Sequence, residues 1–202
     1  MPANFTQQQR QEIREKLLTV GFEMLRETGL KSMKIAEAAK RADIAAGTFY
    51  HFFPSKEAFV MALIEERGRG WKQEFSSLVQ AHGQLPLELA VRCFRESFRP
   101  ENNLLMELSL EDWGWLKSHR TAGGLFDAMH DLKEAESYLA YIDGIRPDLD
   151  VGVLINFFKT IYSMAQNRDT FVQEVLETNI DLIFDCMYRY AAVQERERSA
   201  ES

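Results

Sequence analysis

The sequence lacks the features that several classes of protein require. Its two cysteines, Cys93 and Cys186, stand alone and far apart in the sequence, which fits free thiols in a reducing compartment better than a disulfide framework. No apolar run approaches the roughly 20 residues that a membrane span needs, and the first residues have no pattern of a signal peptide. We therefore expect a cytoplasmic protein that makes no contact with a membrane.

The motifs of enzymes are missing as well. The sequence has no nucleophile motif, phosphate-binding loop or metal-binding motif, so we expect no catalytic activity, no cofactor and no metal. One group of side chains could be taken for metal ligands, because Asp127, His130, Asp131 and Glu134 would share one face of a helix. A solvated helix face has the same spacing, and we favour that interpretation.

Apolar-polar alternation, which is typical of strands, is almost absent, whereas apolar residues recur at helical spacing along the chain. The composition is that of an ordinary globular protein, with 46% hydrophobic and 27% charged residues. The sequence therefore predicts an all-α fold. The expected helices cover about residues 6–29, 34–41, 45–54, 55–80, 86–99, 101–117, 121–142, 149–167 and 170–193.

Several helix ends carry recognisable signals. Thr6 and Gln9 have the spacing of a capping box. Gly29 is suited to end the first helix, and Ser55 and Asp169 are suited to cap the fourth and ninth helices. These signals mark the expected ends of the first, fourth and ninth helices.

Charge is distributed unevenly. Residues 1–56 contain nine lysines and arginines against six acidic residues, whereas the rest of the chain has fifteen against twenty-five. The net charge of −7 therefore combines a basic N-terminal segment with an acidic remainder. This division suggests an anion-binding module joined to a part that does not bind anions.

Residues 34–54 have the pattern of two short helices joined by a tight turn, as in a helix-turn-helix. Ala38, Ala39 and Ala42 are small enough to let two helices cross closely. Asp43, at the turn, tolerates the left-handed backbone that such turns often need. The helix over 34–41 would brace the helix that follows the turn, and that following helix would enter the major groove of DNA.

The strongest motif in the chain is Gly47-Thr48-Phe49-Tyr50-His51-Phe52-Phe53-Pro54-Ser55-Lys56-Glu57. It closely resembles the TetR family of transcriptional repressors, and the resemblance extends over about residues 10–63. It implies a DNA-binding domain over 1–56 and a helical effector-binding and dimerisation domain over 57–193. It also implies a homodimeric repressor that a small, largely apolar effector releases from double-stranded operator DNA. Residues 194–202 are charged and lack apolar anchors, so we expect a disordered tail there.

The resemblance also assigns roles to individual residues. Thr48, Tyr50 and Lys56 would contact phosphates, and His51 would reach a phosphate or a base edge. Phe49 would hold the third expected helix, over 45–54, against the core of the domain. The residues expected to bind DNA are Lys34, Ala45, Ala46, Gly47, Thr48, Tyr50, His51 and Lys56.

The last two expected helices are rich in apolar residues, which must be covered on more than one side. A purely intramolecular core is one interpretation. The family resemblance favours the other, a four-helix dimer interface formed by these two helices of each subunit. The residues expected at that interface are Val151, Leu154, Phe158, Ile161, Val175, Ile180, Ile183 and Met187.

The middle helices carry aromatic residues and methionines that could line an apolar effector pocket. The residues expected there are Phe94, Phe98, Met106, Trp113, Phe126, Met129, Tyr138 and Tyr162. Gly68 and Gly70 interrupt the long fourth helix and are candidate soft points between sensing and DNA binding. The alternative is a DNA-binding protein without a small ligand, controlled by a protein partner, and a solid C-terminal domain would favour it.

Overall fold

The structure is a computed structural model that describes residues 5–119 and 128–192, with the backbone alone over 128–131. The expected start of the seventh helix, with Phe126 and Asp127, and the expected tail over 194–202 lie outside the described residues. The side chains of Met129, His130 and Asp131 lie outside them too. The prediction of an all-α fold is confirmed, since 76% of the structure is helical.

The helices of the described residues occur in the following order: α1 Gln7–Ser32, α2 Ile35–Arg41, α3 Ala46–Phe49, α4 Lys56–His82, α5 Leu87–Ser97, α6 Leu110–Ser118, α7 Ala128–Leu139, α8 Val151–Gln166 and α9 Leu176–Ala191. Two short strands, β1 (Leu85–Pro86) and β2 (Ile142–Asp143), pair in parallel. Within residues 5–119 and 128–192, no helix is long and apolar enough to cross a membrane.

Two predicted helix starts are confirmed, whereas the predicted end at Gly29 is a break within α1, which continues to Ser32. The Thr6 hydroxyl accepts a hydrogen bond from the Gln9 N–H, and the Gln9 side chain accepts one from the Thr6 N–H, which is the expected capping box. Gly29 breaks the helical geometry of α1 with φ 73° and ψ 171°, a conformation that is essentially restricted to glycine. The Ser55 hydroxyl accepts a hydrogen bond from the Ala58 N–H in the first turn of α4.

Two helices begin later than predicted. α6 begins at Leu110 because the Ser109 hydroxyl accepts the Asp112 N–H as an N-cap; upstream of it lies only a short 3₁₀ turn, Leu104–Met106. α9 begins at Leu176 and has no side-chain cap. Asp169, the expected cap, lies instead in the 3₁₀ turn Arg168–Thr170.

The predicted third helix is also shorter than expected. α3 is a single turn that ends at Phe49, whereas the prediction extended it to Pro54. Turns take over from it, because the N–H groups of His51 and Phe52 bond to the carbonyls of Thr48 and Phe49. The chain thus continues as turns toward Pro54, but it no longer has regular α-helical geometry.

The chain forms two compact units. The first, which we name the head, contains the described residues up to Arg67 together with Leu108–His119. The second, the body, contains Gly68–Glu107 and the described residues 128–192. α4 thus passes from head to body at Gly68, and α6 belongs to the head. The domains expected from the sequence divide the chain differently, since they placed residues 57–193, including Leu108–His119, in the C-terminal domain.

The core of the head is made by α1, α4 and the helix-turn-helix. Leu17, Leu30, Phe49, Phe59 and Leu63 have no exposed surface. α1 and α4 approach closely at Gly21, where an added Cβ would lie 2.6 Å from Phe59 Cζ. The side chains at this crossing therefore leave room only for a hydrogen atom.

The core of the body combines residues from α4, α5, α8 and α9 with Leu85 of β1 and Ile142 of β2. Leu85, Ala90, Ile161 and Phe184 have no exposed surface. Half-buried aromatic rings, among them Phe94, pack against this core. The body is thus held together by apolar packing of side chains that are far apart in the sequence.

Candidate nucleic-acid interface

The helix-turn-helix has a tightly specified turn. Ala38 and Ala39 of α2 are buried, and the Ile44 N–H bonds to the Ala39 carbonyl at 3.0 Å. Asp43 adopts φ 61° and is the one residue other than glycine with positive φ in the part of the chain that the structure describes. The left-handed turn predicted at Asp43 is therefore confirmed.

One side of α3 is fixed to the head by aromatic rings. Phe49 is completely buried, and its ring centroid lies 5.2 Å from that of Phe59 and 5.6 Å from that of Phe53. Phe53 and Phe59 also contact each other, at 4.9 Å. Such pairs of rings stabilise their arrangement beyond the area that they bury, so α3 has a defined orientation on the head.

The other side of α3 is exposed to solvent. Tyr50 has 53% of its surface exposed, and His51, Ala45, Ala46 and Gly47 are exposed as well. Thr48 is half-buried, and Lys34, the N-cap residue of α2, is exposed. The structure thus brings the hydroxyls and the imidazole expected to bind DNA onto one short segment whose opposite side is anchored. Their roles toward DNA stay predictions.

Lys56 is placed differently from the other expected DNA-binding residues. Its Nζ donates a hydrogen bond to the Lys31 carbonyl at 2.9 Å and lies 4.8 Å from the centre of the Trp115 ring. Partial burial lowers the pKa of the Lys56 ammonium, and the nearby Glu57 and Asp112 carboxylates oppose this change. The ammonium is therefore engaged within the head.

A surface groove beside α3 includes residues that the sequence analysis did not assign to DNA binding. Arg10 and Arg14 of α1 line it together with His51 and Phe52. Arg14 also lies over the Phe53 ring, 5.6 Å from its centre. The spacing of Gln7, Arg10 and Arg14 along one face of α1 was the signal that could have identified this groove.

Comparison with known proteins agrees with this geometry. A model of the protein family described as "Bacterial regulatory proteins, tetR family" matches residues 17–63. The HTH-type transcriptional repressor NemR of Escherichia coli is 36% identical to this chain over 70 residues, which are 35% of each protein. The match therefore spans about a third of the length of that relative. Residues 17–63 of this chain therefore resemble the tetR family of bacterial regulatory proteins.

Two solved structures resemble this chain over most of its length. One is FadR of Thermus thermophilus, described as a TetR-family transcriptional repressor in complex with lauroyl-CoA; it is 18% identical, with a TM-score of 0.53, and 90% of this chain and 96% of that chain are covered. The other is the ketosteroid regulator KstR2 of Mycobacterium tuberculosis, 22% identical, with a TM-score of 0.50 and coverages of 90% and 95%. These likenesses show the fold. All three of these proteins are named as transcriptional regulators and not as enzymes.

Not every basic residue of the head is available to a ligand. Arg41 forms ion pairs with Glu27 and Glu37, at 2.8 Å and 3.0 Å. The hydrogen bond from Arg41 lowers the pKa of the Glu27 carboxyl, and the bonds to Glu27 and then Glu37 raise the pKa of the guanidinium. Arg41 thus fastens the end of α2 to α1.

The expected effector-pocket residues fall into different places. In the body, Phe94 and Tyr138 contact each other at 5.7 Å between ring centroids, and Phe98 contacts Tyr162 at 5.0 Å. Met106 is buried in the same core. Trp113 belongs to α6 of the head and is buried there. Phe126 and the Met129 side chain lie outside the described residues.

The residues expected at the dimer interface differ in their burial. Leu154, Ile161 and Met187 are buried within the single chain and belong to its own core. Val151, Phe158, Ile180 and Ile183 are half-buried, and Val175 is exposed. Leu182, which the sequence analysis did not select, has 56% of its surface exposed on α9.

The face of α7 suggested as an alternative metal site can be described only in part. Glu134 forms an ion pair with Lys72 at 3.6 Å. Among the side chains that the structure describes, no three histidines, cysteines, aspartates or glutamates lie close enough to hold a metal ion. Asp127, His130 and Asp131 fall outside that set.

Proposed function

We propose that this protein is a TetR-family DNA-binding repressor that a small, largely apolar effector releases from its operator. The observation that carries the proposal is the two-sided character of α3. Phe49 is completely buried on one side, while Tyr50 and His51 are exposed on the other. A segment held rigidly by its core side can present polar groups to DNA with little loss of conformational freedom on binding.

In the proposed complex, α3 enters the major groove. Thr48, Tyr50 and His51 contact phosphates or base edges, and Lys34 adds a phosphate contact from the start of α2. Ala45 and Ala46 lie where methyl groups could meet the methyls of thymine, and Gly47 lets the backbone come close. An added Cβ at Gly47 would meet nothing within 4 Å, so that surface is open.

The groove on α1 extends the proposed contact surface. Arg10 and Arg14 lie beside His51, and two guanidinium groups next to the imidazole favour a phosphate backbone. Glu12 also lines the groove and reduces this attraction. We propose that Arg10 and Arg14 position the head on DNA, whereas α3 reads the bases.

A single head offers few contacts, so the proposal includes a homodimer whose two α3 segments lie about 34–36 Å apart, one turn of DNA. Support comes from exposed apolar side chains at and before α9. Val175 and Leu182 are 45% and 56% exposed, and burying such residues against a second copy is favourable. We propose this surface, continued by Val151, Ile180 and Ile183, as the dimer contact.

The proposed effector site is the aromatic cluster of the body, which includes Phe94, Phe98, Tyr138 and Tyr162. Aromatic walls suit a flat or elongated apolar ligand. The ligand must bind the DNA-releasing conformation more tightly than the DNA-binding one, because only differential affinity can shift the population. α4 is the proposed lever, since it passes from head to body at Gly68. A cytoplasmic location, with access to operator DNA, completes the proposal.

One observation favours the alternative, a regulator controlled by a protein partner. The Phe98 and Phe158 rings stack at 5.3 Å with an interplanar angle of 6°, and Phe98 also contacts Tyr162 and Phe184. Rings packed in this way occupy the place that an effector would need. Under the proposed function the ligand has to separate them, and under the alternative they stay together.

Selection of binding sites from a random duplex library tests the DNA-binding part. The proposal expects an enriched sequence with two inverted half-sites centred about one helical turn apart. Thr48→Val and His51→Ala should weaken binding to it, because each removes a polar group from the exposed side of α3. A folded protein that enriches no sequence would contradict the function and leave the fold intact.

A screen of small apolar compounds tests the effector part. A compound that raises the melting temperature of the protein and also releases the selected DNA supports the effector. If such compounds raise the melting temperature but DNA stays bound, they are not effectors. If no compound binds while a second protein does release the DNA, the alternative function holds.

A further inference from the structure

Lys31, at the end of α1, is held at three points within the head. Its N–H donates to Asp112 Oδ1 at 3.1 Å. Its carbonyl accepts from Lys56 Nζ at 2.9 Å. Its own ammonium forms an ion pair with Glu111. Two of these partners lie on α6 and one on the first turn of α4, so one residue ties together three helices of the head.

Asp112 is the most deeply buried of these partners. It is only 6% exposed, and its second carboxylate oxygen accepts a hydrogen bond from the Ser109 hydroxyl at 2.9 Å. A Cβ on Gly29 would lie 2.9 Å from the Asp112 carboxylate. The absence of a side chain at Gly29 is therefore what allows α6 to reach the end of α1.

Lys56 closes the arrangement from the other side. Its ammonium bonds to the Lys31 carbonyl and faces the ring of Trp115 on α6. The face of an indole ring attracts a cation, and a carbonyl left free at the end of a helix accepts a lysine well. Both partners of the ammonium are thus groups of the protein, and no phosphate is needed to account for its position.

We infer that Lys56 is a positioning residue that fastens α6 and α4 to the end of α1, and that it does not contact operator phosphate. The inference rests on the proposed DNA-binding function, because it assigns Lys56 a different part in that function. It acts through Trp115 and the Lys31 carbonyl, which keep the head in the conformation that presents α3. Lys34, exposed at the start of α2, keeps the phosphate role.

The salt dependence of DNA binding separates the two roles. Each phosphate contact contributes about 0.9 to the slope of log K against log salt concentration, so a dimer that loses two contacts loses about 1.8. We expect Lys56→Met and Trp115→Leu each to weaken DNA binding by about 3- to 30-fold with an unchanged slope. Lys34→Met is the matched control, and it should make the slope shallower by that amount.

A double-mutant cycle in chemical unfolding tests the contact without DNA. If Lys56 acts on Trp115, the double variant should be destabilised by less than the sum of the two single changes. Lys56→Arg should keep much of the wild-type stability, because a guanidinium also binds to an aromatic face. This measurement keeps its meaning even if no operator is found, in which case the proposed function fails and the contact is still judged.

Two results would overturn the inference. One is a shallower salt slope for Lys56→Met with Trp115→Leu unaffected, which would identify Lys56 as a phosphate contact. The other is strict additivity of the two substitutions in unfolding, which would show that the ammonium and the indole do not interact. The inference is supported if both single variants weaken DNA binding equally and the double variant shows no further loss.

Discussion

The head and the body use aromatic residues in different ways. In the head, the rings of Phe49, Phe53 and Phe59 form one compact anchor directly behind an exposed polar segment. In the body, Phe94, Phe98 and their neighbours contact one another around the core. The rings of the head thus fix the orientation of a surface segment, whereas the rings of the body line its interior. We propose that this difference separates the reading of DNA from the sensing of an effector.

The largest expected effects come from deleting one buried ring in each unit. Phe49→Ala and Phe184→Ala both empty a site with no exposed surface, and each should cost about 3–5 kcal/mol of stability. If the units are separate, Phe49→Ala should remove hydrogen-exchange protection in the head and abolish DNA binding. Phe184→Ala should reduce hydrogen-exchange protection in the body more than in the head. Equal loss of protection throughout the chain for both variants would contradict the division.

The next effect concerns the end of α1. Gly29→Ala places a side chain in a glycine-only conformation, φ 73° and ψ 171°, which costs about 1–3 kcal/mol. Contact with the Asp112 carboxylate adds to that cost. Gly83→Ala is the control in the body, because its φ is 77° but an added Cβ meets nothing within 4 Å. Thermal unfolding should show the greater loss for Gly29→Ala, and equal losses would rule out a role for Asp112.

Two glycines inside helices give a smaller and cleaner test. Ala is favoured over Gly in a helix by up to about 1 kcal/mol, and at Gly70 an added Cβ meets nothing within 4 Å. At Gly21 it would lie 2.6 Å from Phe59 and 2.8 Å from Leu63, and overpacking costs about 1–3 kcal/mol. Gly70→Ala should therefore raise the stability to denaturant and Gly21→Ala should lower it. A rise in both would mean that the α1–α4 crossing is loosely packed.

The smallest effect on DNA binding is expected where α4 passes from head to body. Gly68→Ala combined with Gly70→Ala should leave the DNA affinity of the free protein within about twofold, because neither position touches the proposed interface. It should stiffen the helix and change the concentration of effector that releases DNA. Titrating a compound from the effector screen into both protein–DNA complexes measures this. Unchanged release would remove the two glycines from the mechanism.

The parts of the fold that could be predicted are those in which a local backbone requirement selects a particular residue. Asp43 at positive φ, the Thr6–Gln9 capping box and Ser55 at the start of α4 are of this kind. Asp169 has the same chemistry as a cap but lies in a 3₁₀ turn, because the helix after it begins only at Leu176. A capping residue thus marks a turn more reliably than it marks which helix the turn begins.

The partners of Lys56 could not be predicted, because they depend on distant parts of the chain. The Lys31 carbonyl lies 25 positions away, and Trp115 lies on a helix that follows part of the body in sequence but belongs to the head. The buried positions of Leu154, Ile161 and Met187 have the same origin, since an apolar residue looks the same whether it faces its own core or a second copy. Packing between distant segments leaves no local pattern to read.

The most direct test of the account compares two tyrosines of similar exposure. Tyr50 in the head is 53% exposed, and Tyr141 in the body is 48% exposed. DNA affinity would be measured on the selected site at several salt concentrations for the wild type, Tyr50→Ala and Tyr141→Ala. If α3 reads DNA, the wild type shows a steep salt dependence, Tyr50→Ala loses about tenfold or more in affinity, and Tyr141→Ala is unchanged. Wild-type affinity in Tyr50→Ala, or equal losses in both variants, would contradict a DNA-reading surface on α3.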